Sequence, residues 1–350
     1  MSAKDETASA GKGSQRRHRR NTGAMTLRQV AHLAGVAPVT VSRVLNTPDA
    51  VSPEVRERVL AVIRETGYVP NRLAGGLAST RSNLIAAIVP TIAMSVFQQT
   101  VQSLTDTLFD ADFQLMLGQT GYSSEREDAL LEAIIGRRPD GIVLTGVDHS
   151  AQSRQRLLGA GIPVVETWDL TDHPIDMLVG FSHRDIGAAV ARYLGERGRR
   201  QLALVMADDE RARRRASAFE ATALELGLPP VQRISMGGSR TLNSGRAALA
   251  RLLDVGPPPD AVFCSSDLLA LGVMTEAQTR GLRVGEDLAV VGFGDFEFVA
   301  GLEPALTSVR INGAAIGEQA ARFLMARAEG HPVAQPVVDM GFSIVERASA

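Results

Sequence analysis

The apolar positions of residues 26–66 recur at helical spacing in three short sets, each bounded by breakers. Leu27, Val30, Ala31 and Ala34 make the first; Thr26 and Gln29 give it a capping box, and Gly35 ends it. The second opens at Pro38, a residue suited to the first helical position, and runs through Thr40, Val41, Val44 and Leu45. Asn46-Thr47-Pro48-Asp49 reads as a loop. Ser52-Pro53-Glu54 then supplies a side-chain cap, a preset φ and an acid near the positive end of the helix dipole. Val55, Val59, Val62 and Ile63 carry that third helix to Gly67. The turn Ala34-Gly35-Val36-Ala37 has the length and the glycine of a helix-turn-helix. Three short helices also suit a small protein-interaction module.

Beyond Pro70 the pattern changes to short apolar runs separated by amphipathic stretches. The runs are Leu84–Val89, Phe113–Leu117, Gly141–Leu144, Ile162–Val165, Met177–Val179, Leu202–Val205, Ala261–Cys264 and Leu288–Val291. The stretches include Phe97–Asp110, Glu125–Gly136, Arg184–Glu196 and Ser217–Leu226. Continuously apolar strands alternating with helices predict parallel sheets, and about 260 residues hold two of them. Ligands of such sheets bind at the carboxyl edges of the strands. Residues 1–24, rich in Ser, Gly, Ala and Arg, read as a flexible tail. They hold no apolar stretch of export-signal type, and no run of about 18 apolar residues occurs, so a cytoplasmic chain without membrane contact is expected.

Charge sharpens the division. The 350 residues carry a formal net charge of −2. Residues 1–82 hold 13 basic and 6 acidic groups, and the remainder holds 24 and 33. A basic head on an acidic body favours an anionic partner for the head and raises the DNA reading of its helices. Thr40, Ser42 and Arg43 on the second helix point the same way.

Enzyme chemistry finds little support. The one cysteine, Cys264, lies in an apolar run and reads as a core thiol rather than a nucleophile. No HExxH, GxSxG, GxGxxG after the first strand or GxxxxGK[ST] occurs, and the six histidines are scattered. No cofactor, metal centre or catalytic group is therefore expected. The densest charged stretch, Asp208-Asp209-Glu210-Arg211 with Arg213–Arg215, follows the strand end near Val205. It reads either as a solvated loop and helix start or as an arginine delivered to a cleft.

Residues 26–46, TLRQVAHLAGVAPVTVSRVLN, resemble the head of the lac repressor family of bacterial transcription regulators. Val51-Ser52-Pro53 and Gly67-Tyr68-Val69-Pro70-Asn71-Arg72-Leu73-Ala74 continue the match. In the body, Gly161–Val165, Val262–Gly272, Val290–Phe293 and Leu306–Val309 follow in order. The resemblance implies an all-α helix-turn-helix head on an α/β, periplasmic-binding-protein-like body of two parallel-sheet subdomains. The implied domains are a tail (1–24), a head (25–69), a hinge helix and linker (70–82) and a body (83–350). Within the body it implies subdomains 83–181 with 309–328 and 182–308 with 329–350. It further implies operator double-stranded DNA, a small effector and a second copy of the chain as partners.

The contacts it implies for DNA are Thr26, Leu27, Pro38, Val39, Thr40, Ser42, Arg43, Asn46 and Tyr68, with Asn71, Arg72 and Leu77 from the hinge. Pro38 and Val39 suit thymine methyls and Arg43 suits guanine, while Thr40 and Ser42 suit phosphates or packing. Leu77 matches the leucine wedged into the central base step. Ala37 replaces the family's usual serine, and Gly75-Gly76 weakens the hinge helix. Within the family the resemblance is to the gluconate repressor branch, through Pro163–Asp169, Val179-Gly180-Phe181, Gly121-Tyr122, Leu144-Thr145 with His149, and Asp209-Glu210-Arg211. The implied effector contacts are Ser95, Phe97, His149, Glu166, Trp168, Asp169, Phe181, Arg211, Arg215, Ser266, Asp267 and Asp295. Arg211 or Arg215 would meet a carboxylate and the acidic groups would accept hydroxyls; Trp168 suits a cavity wall or ordinary core. Gly294 stands where many relatives carry an aspartate for sugar hydroxyls, which favours a sugar acid over a neutral sugar. A periplasmic sugar-binding protein, or a regulator answering to a neutral sugar or a purine, are the alternatives.

Overall fold

Thr26 starts the first helix as the spacing predicts. Its hydroxyl accepts the Gln29 amide N–H while the Gln29 side chain accepts the Thr26 N–H at 2.8 Å, and α1 (Leu27–Leu33) follows. Gly35, at φ +63°, turns the chain into α2 (Pro38–Asn46). α3 (Pro53–Thr66) closes on a left-handed Gly67. Ser52 holds the N-cap position of α3, but its hydroxyl makes no cap hydrogen bond, contrary to expectation. The first backbone bond of the helix, from the Arg56 N–H to the Ser52 carbonyl, forms at 3.0 Å, and Pro53 presets φ at the first helical position. Val30, Ala31, Ala34, Val41, Val44, Val59 and Tyr68 fill the core of the three helices.

The computed structural model describes residues 25–69, 82–93, 96–238 and 240–350. They fall into two compact units, the three helices and the body from Ser82 onward. Ser82, expected in the linker, belongs to the body: its N–H and that of Asn83 both donate to the Asp140 carboxylate. The rest of the expected hinge, with Asn71, Arg72 and Leu77, lies outside the described residues.

The body contains two six-stranded sheets. In chain order its elements are β1 (Leu84–Val89), α4 (Gln98–Phe109), β2 (Gln114–Gln119), α5 (Ser124–Ile135), β3 (Gly141–Thr145), α6 (Ala151–Ala160), β4 (Val164–Thr167) and β5 (Met177–Gly180). Then come α7 (His183–Glu196), β6 (Leu202–Met206), α8 (Glu210–Glu225), β7 (Gln232–Ser235), α9 (Leu242–Val255), β8 (Ala261–Cys264), α10 (Asp267–Thr279) and β9 (Ala289–Phe293). β10 (Thr307–Arg310), α11 (Gly313–Ala328), β11 (Val337–Asp339) and β12 (Ser343–Val345) complete it. The first sheet runs β11-β5-β4-β3-β1-β2 and the second β12-β10-β9-β8-β6-β7. Every pairing is parallel except β10 with β12. The central strands are buried on both faces, which explains their unbroken apolar character.

The chain crosses between sheets after β5, after β10 and between β11 and β12. Two expected subdomain borders move as a result. β10 keeps Val309 and Arg310 in the second sheet, and β11 places 337–339 beside β5 in the first rather than in the second. α8 begins at Glu210, earlier than the helix expected from Ser217, because Asp209 caps it and the arginine run forms its first turns. Among the described residues no helix is long and apolar enough to cross a membrane.

Candidate functional site

On the head, α2 buries Val41 and Val44 and leaves Pro38, Val39, Arg43 and Asn46 exposed, with Thr40 and Ser42 at the margin. Val39 is 56% exposed, an apolar side chain on an otherwise polar face. Asn46 Nδ2 donates to Ser42 Oγ at 3.2 Å, so one helix face presents a preset polar pair beside Arg43. Ala37 caps α2 without a side-chain bond; in the first turn Pro38 has no N–H to satisfy, and the Thr40 N–H donates to the Ala37 carbonyl at 2.9 Å. Thr26 spends its hydroxyl on the capping box, and Leu27 is half-buried. Tyr68, expected at the DNA, packs into the head core instead.

In the body, a cavity of about 670 Å³ opens between the two sheets, at the carboxyl ends of their strands. The N-cap residues of α8, α9 and α10, namely Asp209, Thr241 and Ser266, all line it. Helix dipoles thus direct positive ends at it. The floor and walls include Phe97, Trp168, Phe293 and Phe296, and the polar groups include Thr91, Tyr122, His183, Arg211, Arg215, Arg240 and Ser265.

A chain of hydrogen bonds fixes the deep end. Trp168 has φ +68°, a conformation that costs a non-glycine residue on the order of 1–2 kcal/mol and often marks a functional site. Its Nε1–H donates to Thr100 Oγ1 at 3.0 Å, and its carbonyl lies 2.9 Å from His183 Nε2. A carbonyl only accepts, so His183 carries its proton on Nε2. Nδ1 then accepts from Arg215 Nη1 at 2.8 Å. Burial, and then the Arg215 and Arg211 charges, hold His183 neutral by pushing its pKa well below the usual imidazole range. Phe97 and Phe181 pack edge-on against Trp168, at 4.9 and 5.5 Å between ring centres.

Arg215 is 5% exposed, lies over the Phe293 ring at 4.0 Å, and has its pKa lowered to about 10 by burial, with Arg211 adding repulsion. α8 holds it through a close approach to α7: a Cβ on Gly187 would lie 2.1 Å from the Arg215 carbonyl oxygen. Arg240 binds Asp209 Oδ2 at 2.6 Å and lies 4.2 Å over the Tyr122 ring. Burial pushes the Asp209 carboxyl up, but Arg211, Arg215 and Arg240 outweigh it and hold the group ionised. Among the described residues, Arg211 Nη1 and Arg215 Nε are buried guanidinium N–H groups with no hydrogen-bond partner. Buried donors of that kind are costly unless a ligand supplies acceptors.

The structure therefore gathers Phe97, Trp168, Arg211, Arg215 and Ser266 of the expected contacts around one cavity. The other expected contacts among the described residues do not line it and are engaged elsewhere. His149 Nδ1 lies 2.7 Å from Glu127, and its Nε2 lies 3.5 Å from Glu166. Glu166 also accepts the Ile175 N–H at 2.6 Å. Asp169 is paired with Arg214. Phe181 is wholly buried behind Trp168. Asp267 accepts from Ser308 Oγ at 2.6 Å and the Phe296 N–H at 2.8 Å; burial raises its pKa to about 6. Asp295 is paired with Arg310 and Arg347. Ser95 lies outside the described residues. Gly294, at φ +125°, has no room for a side chain: a Cβ would meet Val96 Cγ1 at 2.6 Å. Sequence reasoning missed Tyr122, His183, Asp209, Arg240 and Phe293 as cavity groups; the motifs holding Tyr122 and Asp209 were the available signal. Among the described residues no group of three or more His, Cys, Asp or Glu side chains is placed to hold a metal ion.

Residues 26–71 match the model of the bacterial regulatory proteins of the lacI family, and residues 191–350 match a periplasmic binding protein-like domain. The chain is 34% identical to the HTH-type transcriptional regulator GntR of Pseudomonas aeruginosa, over 94% of this chain and 97% of that one. It superposes on a LacI family regulator from Silicibacter pomeroyi with a TM-score of 0.87 and 32% identity, covering 93% and 99% of the two chains. It superposes on the lac repressor dimer bound to operator and an anti-inducer with a TM-score of 0.77 and 26% identity, covering 93% and 99%.

Proposed function

The chain belongs to the lacI family of bacterial regulatory proteins and is a DNA-binding transcriptional regulator; we propose that it is a cytoplasmic homodimeric repressor released from its operator by a sugar acid. The observation that carries the effector reading is the pair of buried, unpartnered guanidinium donors on Arg211 and Arg215 in the inter-sheet cavity. An acidic ligand satisfies both, by bonds stronger than those between neutral groups. Asp209, Thr241, Ser265 and Ser266 offer the hydroxyl partners that a sugar chain needs, and Phe97, Trp168 and Phe293 offer faces for its C–H groups. The similarity to the transcriptional regulator GntR, together with the resemblance of Pro163–Asp169 and Asp209-Glu210-Arg211 to the gluconate repressor branch, supports the same class.

On DNA, the exposed face of α2 enters the major groove. Pro38 and Val39 meet thymine methyls, and Arg43 bonds to guanine, worth about 1–3 kcal/mol of discrimination. Asn71 and Arg72 contact the backbone and groove, and Leu77 opens a central base step in the minor groove. Effector in the cleft favours the closed arrangement of the two sheets, and operator affinity falls because the closed dimer disfavours the hinge helices. In this reading the cavity binds a ligand rather than transforming it, in keeping with the transcriptional regulators to which the chain is similar.

Two measurements test the reading. Fluorescence anisotropy with duplexes selected from a random pool should report tight, sequence-dependent binding that weakens when effector is added. Calorimetry with gluconate, 2-ketogluconate and 6-phosphogluconate should give heat from at least one. Heat from a neutral sugar, with none from the three acids, would refute the effector class.

A further inference from the structure

We propose that Arg214, a residue outside the effector cavity, ties the two halves of the body together and thereby sets how strongly effector and operator oppose one another. The proposal rests on the cavity being the effector site for that opposition, but not for the tie itself.

Arg214 stands on α8, in the half built on the second sheet. Its two ion-pair partners belong to the other half: Asp148 follows β3, and Asp169 follows β4. Arg214 Nη2 donates to Asp148 Oδ1 at 2.5 Å, and Nη1 donates to Asp169 Oδ2. Among the described residues, every ion pair that joins the two halves is made by this one guanidinium. The preceding residue behaves differently. Arg213 pairs within its own half, with Asp208 at 2.9 Å and Glu210 at 2.8 Å. Crossing the cleft is thus a property of Arg214's place on the helix, not of the charged stretch as a whole.

Three features give the tie its consequence. Arg214 does not line the cavity, unlike Arg211, Arg215 and Arg240, so a ligand can enter without displacing it. Asp169 directly follows Trp168, the cavity wall held at φ +68°, so the bond that joins the halves also fixes that wall. The Asp169 side chain is only 4% exposed. Burial pushes its carboxyl above the usual range, and the Arg214 charge is the largest influence opposing that rise. Without Arg214, a closed cleft would hold this carboxylate buried and unpaired, which is strongly unfavourable, whereas separating the halves brings water to it. Arg214 therefore favours the closed arrangement before any effector arrives. Effector gains affinity from that bias and operator loses it.

The test compares Arg214→Gln with the unaltered full-length protein, using gluconate, 2-ketogluconate and 6-phosphogluconate as probes. Acrylamide quenching of Trp168, the one tryptophan of the chain and 3% exposed, reads the cleft with no ligand present. Quenching should be stronger in the variant, at unchanged far-ultraviolet circular dichroism. Calorimetry should find the best probe bound about tenfold or more weakly. At saturating probe, the variant should hold more operator in an anisotropy titration than the unaltered protein does, because less of it is closed. A lost ligand contact would behave otherwise, since saturation overcomes it. Asp148→Asn, at a half-exposed partner, keeps the test decisive where Arg214→Gln fails to fold; it should move all three readouts the same way by a smaller factor. Unchanged quenching in a folded variant overturns the tie. Weaker probe binding with full operator release at saturation overturns its part in the coupling. No heat from any of the three acids with the unaltered protein overturns the effector assignment beneath it, and the quenching comparison still decides the tie.

Discussion

His149 is the residue whose environment makes the sharpest prediction outside the cavity. Its imidazole is buried between Glu127 and Glu166. Burial alone would lower its pKa, but hydrogen bonds and charge from the two carboxylates raise it to about 9. A histidine with a raised folded pKa stabilises the fold fully below its unfolded value near 6.5 and loses that contribution as pH climbs through the folded value. The body should therefore lose on the order of a few kcal/mol between pH ~6.5 and 9. Thermal melts across that range should show the decline, and His149→Gln should flatten it. The residue was legible as important from its motif, but its partners were not. Glu127 lies 22 positions away, on a helix that no spacing rule ties to the loop after β3. The same holds in the cavity. Arg211 and Arg215 could be singled out from the dense charged stretch after β6, whereas Arg240 and His183 reach the site from elements far apart in the chain.

At the scale of elements, alternation of apolar runs and amphipathic stretches located most of the first nine strands, because the central ones, such as β1, β3, β6, β8 and β9, are covered on both faces and almost wholly apolar. β10, β11 and β12 escaped: they are short, sit toward the edges of their sheets, and mix polar with apolar residues. The contact between α7 and α8 was also silent in the sequence, since a glycine in a helix reads as a weakness. Gly187 is instead the condition for Arg215 to reach the cavity. Gly187→Ala should push the helices apart, lower the unfolding temperature, and weaken effector binding at least about tenfold in calorimetry, against an ordinary surface substitution of ~0.5 kcal/mol or less. An unaltered affinity would show that Arg215 does not depend on that approach. In the proposed hinge, Leu77→Ala should weaken operator binding in an anisotropy titration while calorimetry finds effector affinity unchanged. A variant with full operator affinity would remove the wedge from the scheme.

For the whole molecule, the net charge of −2 conceals a basic head and an acidic body. Residues 25–82 alone carry 7 basic and 4 acidic groups, a modest excess for a DNA reader. Two heads per operator supply the rest in the proposed dimer. Residues 1–24 bring six more basic groups against two acidic ones. Deleting them should flatten the slope of log affinity against log salt, because fewer counterions are released, while preserving the ranking of operator sequences. An unchanged slope would show that the tail does not touch phosphate.

The triple crossing between sheets has a consequence for how the protein is made. The first sheet receives β11 and the second receives β12 from one stretch, residues 337–345. Just beyond it, Ser349 is wholly buried, donating to the Val290 carbonyl at 2.6 Å and accepting the Thr307 N–H at 2.8 Å. On a translating ribosome the three-helix head emerges first and already holds its own core. Neither body sheet can be completed until this stretch has left the exit tunnel. The DNA reader thus matures well before the sensor that controls it, and both halves of the sensor finish together.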